Sequence, residues 1–216
     1  MGAGSYFLPF TDAGKATELL AIQVKKRLGL GAYAAVDPYT ALAAIPARLV
    51  DPKTIMQRSP QAAEVLFREQ HADWSAIGYG VSPSTGDSLI LLNPTHHPHR
   101  QRVSLMEEIV HILRDHPKTE LSFDGTSSGS WARPYHTALE DEAYCVGAAC
   151  IIPYKQLFEA VHHLHESAAE IAARFDVSPD YAAYRINRAG LSRVYAKHHP
   201  ARGPRWSRVK RELNRE

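Results

Sequence analysis

Glu107, Glu108 and His111 fall within one short stretch, SLMEEIVHILRDH, whose remaining residues are largely apolar. At about 100° per residue, a helix there gathers Leu105, Met106, Ile109, Val110, Ile112 and Leu113 on one broad side. The two glutamates and the histidine share the opposite arc. Glu107 and His111 are one turn apart, so a carboxylate oxygen and an imidazole nitrogen can reach the same divalent ion. Glu108 lies beside them, where a general base must stand to take a proton from an attacking water. The pattern is H-E-x-x-H with its first nitrogen donor exchanged for oxygen. Two plainer readings stay open on this helix alone. One is an amphipathic helix with solvated charges on its outer face. The other is a capping box, Ser104-x-x-Glu107, which makes Glu107 a latch at the helix start. That box requires a start at Ser104, whereas Pro98 is the more natural first-turn residue.

A second helix, ALEDEAYCVGAACIIP, adds a carboxylate. Glu140 shares a face with Ala143, Tyr144, Gly147 and Ile151, and a charge on so apolar a face is costly unless paired or bound to metal. Ala143 and Gly147 are small enough to let that face approach another helix closely. A glutamate from a second helix is also how H-E-x-x-H zinc sites of the thermolysin kind complete their protein ligands. Glu142 competes for the role but points about 200° away, toward solvent. His116, five residues after His111, reads as a cap at the helix end. His96, His97 and His99, and the cluster His162, His163 and His165, are further metal candidates, with solvated surface histidines as the plainer reading. Cys145 and Cys150 point about 140° apart on this helix, which suits two reduced thiols better than a disulfide.

Elements must position these groups. Residues 13–29 read as an amphipathic helix closed by Gly29 or Gly31, and Pro38 opens a short second helix. AIGYGV (76–81) and SLILLNP (88–94) flank the turn SPSTGD and read as a hairpin. Thr95 or His97 then caps a helix with Pro98 in its first turn, running to His116-Pro117. A Gly/Ser-rich loop, FDGTSSGSWARP, leads to the second helix, which stops at Pro153. ESAAEIAARFDVSPDYAAYRINRAG reads as two short helices around Asp176-Val177-Ser178, a helix–turn–helix pattern whose Tyr181, Tyr184, Arg185 and Arg188 could face DNA. The expected class is α+β: a small sheet, two site helices beside it, and a helical region behind. The expected divisions are 1–155, 156–200 and a tail at 201–216.

Composition agrees with a soluble globular chain, at 44% hydrophobic and 22% charged residues over 216 positions. No apolar run approaches membrane-spanning length, and MGAGSYFLPFTDAGK lacks a basic region followed by an apolar one. Gly2 is read as a chance match to a myristoylation site. A cytoplasmic location is expected, without a membrane partner. The net charge of +2 is uneven: from Lys197 onward seven cations face two carboxylates, a net of +5, so the rest is near −3. Such a tail suits nucleic acid or an acidic partner, or is simply solvated.

With these residues in place, the chain resembles the ImmA/IrrE metallo-endopeptidases over roughly residues 15 to 195. RQRVSLMEEIVHILRDH stands where that family has R-x-R-x-T-x-A-H-E-x-x-H, EDEAYCVGAACIIP is similar to E-x-E-A-N-x-F-A-x-x-L-L-x-P, and IAARFDVSPDYAAYRINRAG is similar to its helical tail. The resemblance implies a zincin-like domain in which His111 and Glu140 are metal ligands and Glu108 is the catalytic base. Glu107 stands at the position of the first ligand histidine, and Tyr144 replaces an Asn or Asp one turn from Glu140. It further implies a cytoplasmic endopeptidase acting on a regulatory protein such as a transcriptional repressor. The alternative is a catalytically weakened adaptor of the same fold that binds a regulator or DNA. With Glu107, His111 and Glu140 as ligands, a Zn2+ site is formally neutral instead of +1, which polarises a carbonyl less and tilts the preference toward harder ions such as Mn2+.

Overall fold

Thr11 starts the first helix, α1 (Asp12–Arg27): its side chain accepts from the Gly14 amide, and Gly29, at φ +72°, ends the element. This computed structural model describes residues 6–117 and 137–200. Gly2, the Gly/Ser-rich loop FDGTSSGSWARP and the tail 201–216 lie outside the described residues. Asp37 caps α2 (Pro38–Leu42), as the proline signalled.

Three strands form one sheet among the described residues, in the order β1-β3-β2. The hairpin forms as expected, with β2 (Ala76–Val81) antiparallel to β3 (Ser88–Leu92). β1 (Ala47–Leu49) pairs parallel with β3, Ala47 opposite Ser88. The register slips between Gly78 and Val81, so β2, one of the two edge strands among the described residues, carries an irregularity. β3 stops two residues short of the expected end because Asn93 turns its side chain onto the carbonyls of His71 and Trp74. Between β1 and β2 lie α3 (Pro52–Arg58), α4 (Pro60–Glu64) and a wide turn at Val65–Glu69.

The site helix α5 (Pro98–Leu113) begins where Pro98 places it, and His97 is its cap, with Nδ1 accepting from the His99 amide at 3.2 Å. Ser104 is therefore inside the helix, and the Ser104–Glu107 capping box does not form. α6 (Thr137–Ile151) packs against it at its small residues. A Cβ at Gly147 would lie 3.5 Å from Met106 Cγ and 3.7 Å from the Glu107 amide.

Beyond α6 follow α7 (Tyr154–His162), α8 (Ala168–Phe175), α9 (Pro179–Arg188) and α10 (Ser192–His198). Ser167 and Glu170 form a full capping box at α8, and Asp176, in the left-handed region at φ 53°, makes the turn to α9. Of the four residues that could face DNA, Tyr184 is half-buried and Arg188 exposed, whereas the other two turn inward. Tyr181 and Arg185 are buried, and Arg185 pairs with Glu18 of α1 while its Nε donates to the Ile152 carbonyl at 3.0 Å. Packing against α6 and α1 uses that side of α9. One apolar cluster runs from Ala21 of α1 through α5, α6 and α7 to Tyr195 of α10, so side chains on both sides of residue 155 share it. Among the described residues no helix is long and apolar enough to cross a membrane.

Candidate metal centre

The polar arc of α5 faces the start of α6. Burying Leu105, Met106, Ile109 and Val110 beneath the helix fixes its rotation, so Glu107 and His111 turn toward Glu140. One donor atom from each of Glu107, His111 and Glu140 lies within 4.8 Å of the others. His111 Nε2 is 3.5 Å from Glu140 Oε2, an ion-pair contact rather than a hydrogen bond. Two donors about 2.1 Å from a tetrahedral ion stand about 3.4 Å apart, so this spacing fits a shared cation. His111 Nε2 is moreover buried without a hydrogen bond, an orphan that a cation would satisfy. Among the described residues this is the group of three that meets the distance condition; the histidines at 96–99 and 162–165 do not. His97 instead caps α5, and His99 lies 3.4 Å from Asp176.

Electrostatics also favour a positive charge at this point. Burial lowers the His111 pKa, but the adjoining Glu140 carboxylate and the charges of Glu108 and Glu107 outweigh it, leaving it above the ordinary imidazole value. Tyr144 is pushed well above the usual phenol range by burial and by the Glu107 charge, so it stands beside the site as a neutral phenol. Its ring packs edge-on against Tyr181 and Tyr184, at 5.7 and 5.0 Å between centroids.

Glu108 is buried on the same helix, close to β2. A Cβ at Gly78 would come within 3.1 Å of Glu108 Oε2, so glycine leaves that carboxylate its place without a shift of a few tenths of an ångström. The base candidate thus sits against β2, with Glu107 next to it in the chain, His111 about one turn along α5 and Glu140 across on α6.

Two residues differ from their expected positions. Glu142 does not point into solvent; its Oε1 accepts from Arg114 Nε and from His116 Nε2, each at 3.1 Å. His116 does not cap carbonyls with its ring; its Nδ1 lies 3.0 Å from Nδ1 of His111. The backbone explains the return. The helix ends in a Schellman motif, in which the His116 amide donates to the His111 carbonyl and the Asp115 amide to that of Ile112. Asp115 supplies the left-handed residue at φ 55°, a conformation that Asp tolerates better than most. An aspartate just past a helix end was the available sequence signal. Both cysteines are free and buried.

The chain matches the model of the IrrE N-terminal-like domain, peptidase family M78, over residues 61–187, which takes in β2, β3, both site helices and the helical pair α8–α9. No curated protein matches it. The chain belongs to the IrrE N-terminal-like domain family, a metallopeptidase-type family that implies a metal cofactor.

Proposed function

We propose that this protein is a metal-dependent endopeptidase in which Glu107, His111 and Glu140 hold one divalent ion and Glu108 is the general base. The observation that carries the reading is the convergence of those three donors on one point, next to a buried carboxylate. A bound ion there supplies Lewis-acid polarisation of the scissile carbonyl and lowers the barrier to attack by water. The protein's own groups supply the rest. Glu108 takes the proton of the attacking water and passes it to the leaving amine nitrogen, general acid–base work of the kind worth about 10²–10⁴-fold in rate. Among the described residues no strand pairs with the far edge of β2, and its backbone donors and acceptors suit an extended substrate segment next to Glu108. A protein substrate suits that edge, and by family resemblance a transcriptional repressor is the proposed one. Zn2+ is the proposed metal, with Mn2+ the alternative that an oxygen-rich donor set can also hold.

A second reading, a cytoplasmic adaptor that keeps the fold with weakened catalysis, is favoured by one specific feature. Glu107 brings a second carboxylate to the donors, which leaves a divalent ion there formally neutral.

Cleavage separates the two. The full chain, supplied in turn with Zn2+ and Mn2+, is incubated with unfolded and repressor-type proteins alongside Glu108→Gln. The peptidase reading expects cleavage by the parent and at least about 100-fold less by the variant, with metal content unchanged. No cleavage with either metal, together with regulator binding indifferent to Glu108→Gln, gives the adaptor.

A further inference from the structure

His111 has two ring nitrogens, and metal binding needs a particular one bare. Nε2 faces Glu140, whereas Nδ1 faces His116. Which nitrogen carries the proton is set by the partner at the other side of the ring. The chain of contacts away from the site settles it. Glu142 is held as a carboxylate by its ion pair with Arg114, whose Nε donates to Oε1 at 3.1 Å. A carboxylate only accepts, so Nε2 of His116 must donate to it across their 3.1 Å contact. With its proton on Nε2, His116 has a bare Nδ1, which can only accept. At 3.0 Å the partner that donates is Nδ1–H of His111. Nε2 of His111 is left as the nitrogen turned toward Glu140 and Glu107, whether it meets a proton or a metal there.

We propose that His116 and Glu142 are positioning residues, a two-member relay that pins the proton of His111 on Nδ1 and aims its Nε2 at the donor set of Glu107 and Glu140. The metal role of that Nε2 rests on the reading given under Proposed function; the proton assignment does not. The fold builds the relay from separate parts. The Schellman turn at Asp115 brings His116 back over His111, with the rings edge-on at 4.9 Å between centroids. The Arg27 side chain clasps this turn, bonding to the Leu113 carbonyl and to Asp115. α6 supplies Glu142 two residues after Glu140, so one helix presents a carboxylate to each side of the same imidazole through different partners. Arg114, which also reaches Gln23 of α1 at 3.3 Å, holds Glu142 from the far side. His116 itself is nearly inaccessible, its side chain 6% exposed, so water does not replace either contact.

The test uses the full chain with 15N-labelled histidine, first without metal. The spectrum of the parent should show His116 with its proton on Nε2 and a bare Nδ1. It should also show a 15N–15N coupling through the hydrogen bond from His111 Nδ1 to His116 Nδ1. His116→Phe keeps a ring in place and should abolish that coupling. Glu142→Gln is close to isosteric, yet its amide donates as readily as it accepts, so the His116 tautomer should become mixed. Competition against a chelator should show Zn2+ affinity falling about 10–100-fold in both variants, the range for partners behind a metal ligand. Rescue is expected from Glu142→Asp relative to Glu142→Gln, because it restores an acceptor that cannot donate. A parent His116 protonated on Nδ1 overturns the proposal. So do tautomers and Zn2+ affinities unchanged in both variants that retain native circular dichroism. If the parent takes up no Zn2+ while its tautomers and coupling are as stated and are lost on substitution, the relay stands and the metal reading falls.

Discussion

Gly78 of β2 and Glu108 of α5 stand so close that a Cβ at position 78 would lie 3.1 Å from Glu108 Oε2. Strand β2 and the buried carboxylate are therefore built as one unit, and the side chain missing at 78 is what leaves room for the base. Gly78→Ala should displace the Glu108 carboxylate by a few tenths of an ångström. Turnover is expected to fall about 10-fold, since small misplacements of reacting groups are costly. Stability should change little, because alanine is no worse than glycine in a strand. Steady-state rates beside a thermal melt check this, and an unchanged rate in a folded variant places Glu108 outside the chemistry.

Glu107→His probes the unusual donor. It exchanges an oxygen for a nitrogen and raises the formal charge of a Zn2+ site from zero to +1. Zn2+ affinity should be at least that of the parent and hydrolysis faster, because a more positive site polarises a carbonyl more. Affinity by chelator competition and rate on one protein substrate measure both. Slower hydrolysis with tighter Zn2+ would show that the carboxylate is needed for turnover.

Much of the site was legible in the sequence because it rests on local periodicity and on strong punctuation. Pro98 and Pro153 bracket the two helices, and the apolar arc of α5 alone turns Glu107, Glu108 and His111 to one side. Glu140 stood out as a carboxylate on an apolar face. What was not legible depends on contacts between distant positions. His116 and Glu142 meet across 26 residues, and only after Asp115 has turned the chain back. Arg185 looked like a surface cation because its partner, Glu18, is 167 residues away. β1 spans three residues, too short for an alternating pattern to declare itself, and its pairing is with a strand about forty positions on.

The buried pair of Glu18 and Arg185 ties the C-terminal helices to α1, and it should behave as buried ion pairs do. Removing one partner strands a charge, so Arg185→Met is expected to cost about 3–5 kcal/mol. The double variant Glu18→Met with Arg185→Met should be more stable than Arg185→Met alone. Urea denaturation of the parent, both singles and the double gives the comparison. Simple addition of the two losses would show that the charges do not depend on each other.

Lys25 is fully buried in α1, with Nζ 3.2 Å from the Ala32 carbonyl, and sits near Cys150. Burial lowers its pKa, with a smaller opposing effect from Cys150. Between the lowered folded value and the unfolded value of about 10.4, the unfolded chain holds the proton that the folded chain has released. Stability from this group is therefore greatest above the unfolded value and is lost as pH falls through the folded one. Lys25→Met should remove that slope, seen as a smaller rise in unfolding free energy between about pH 7 and pH 10 than in the parent. Equal slopes in the two proteins contradict the assignment.

The most direct test of the central claim is the ratio of divalent metal to protein in the purified full chain after equilibration with Zn2+ and removal of excess ion, measured by elemental analysis. Glu107, His111 and Glu140 as a ligand set predict about one ion per chain in the parent and in Glu108→Gln, as for a site with three protein ligands. They predict a ratio near zero in Glu107→Ala, His111→Ala and Glu140→Ala. A parent that retains no ion, or alanine variants that retain as much as the parent, would contradict it.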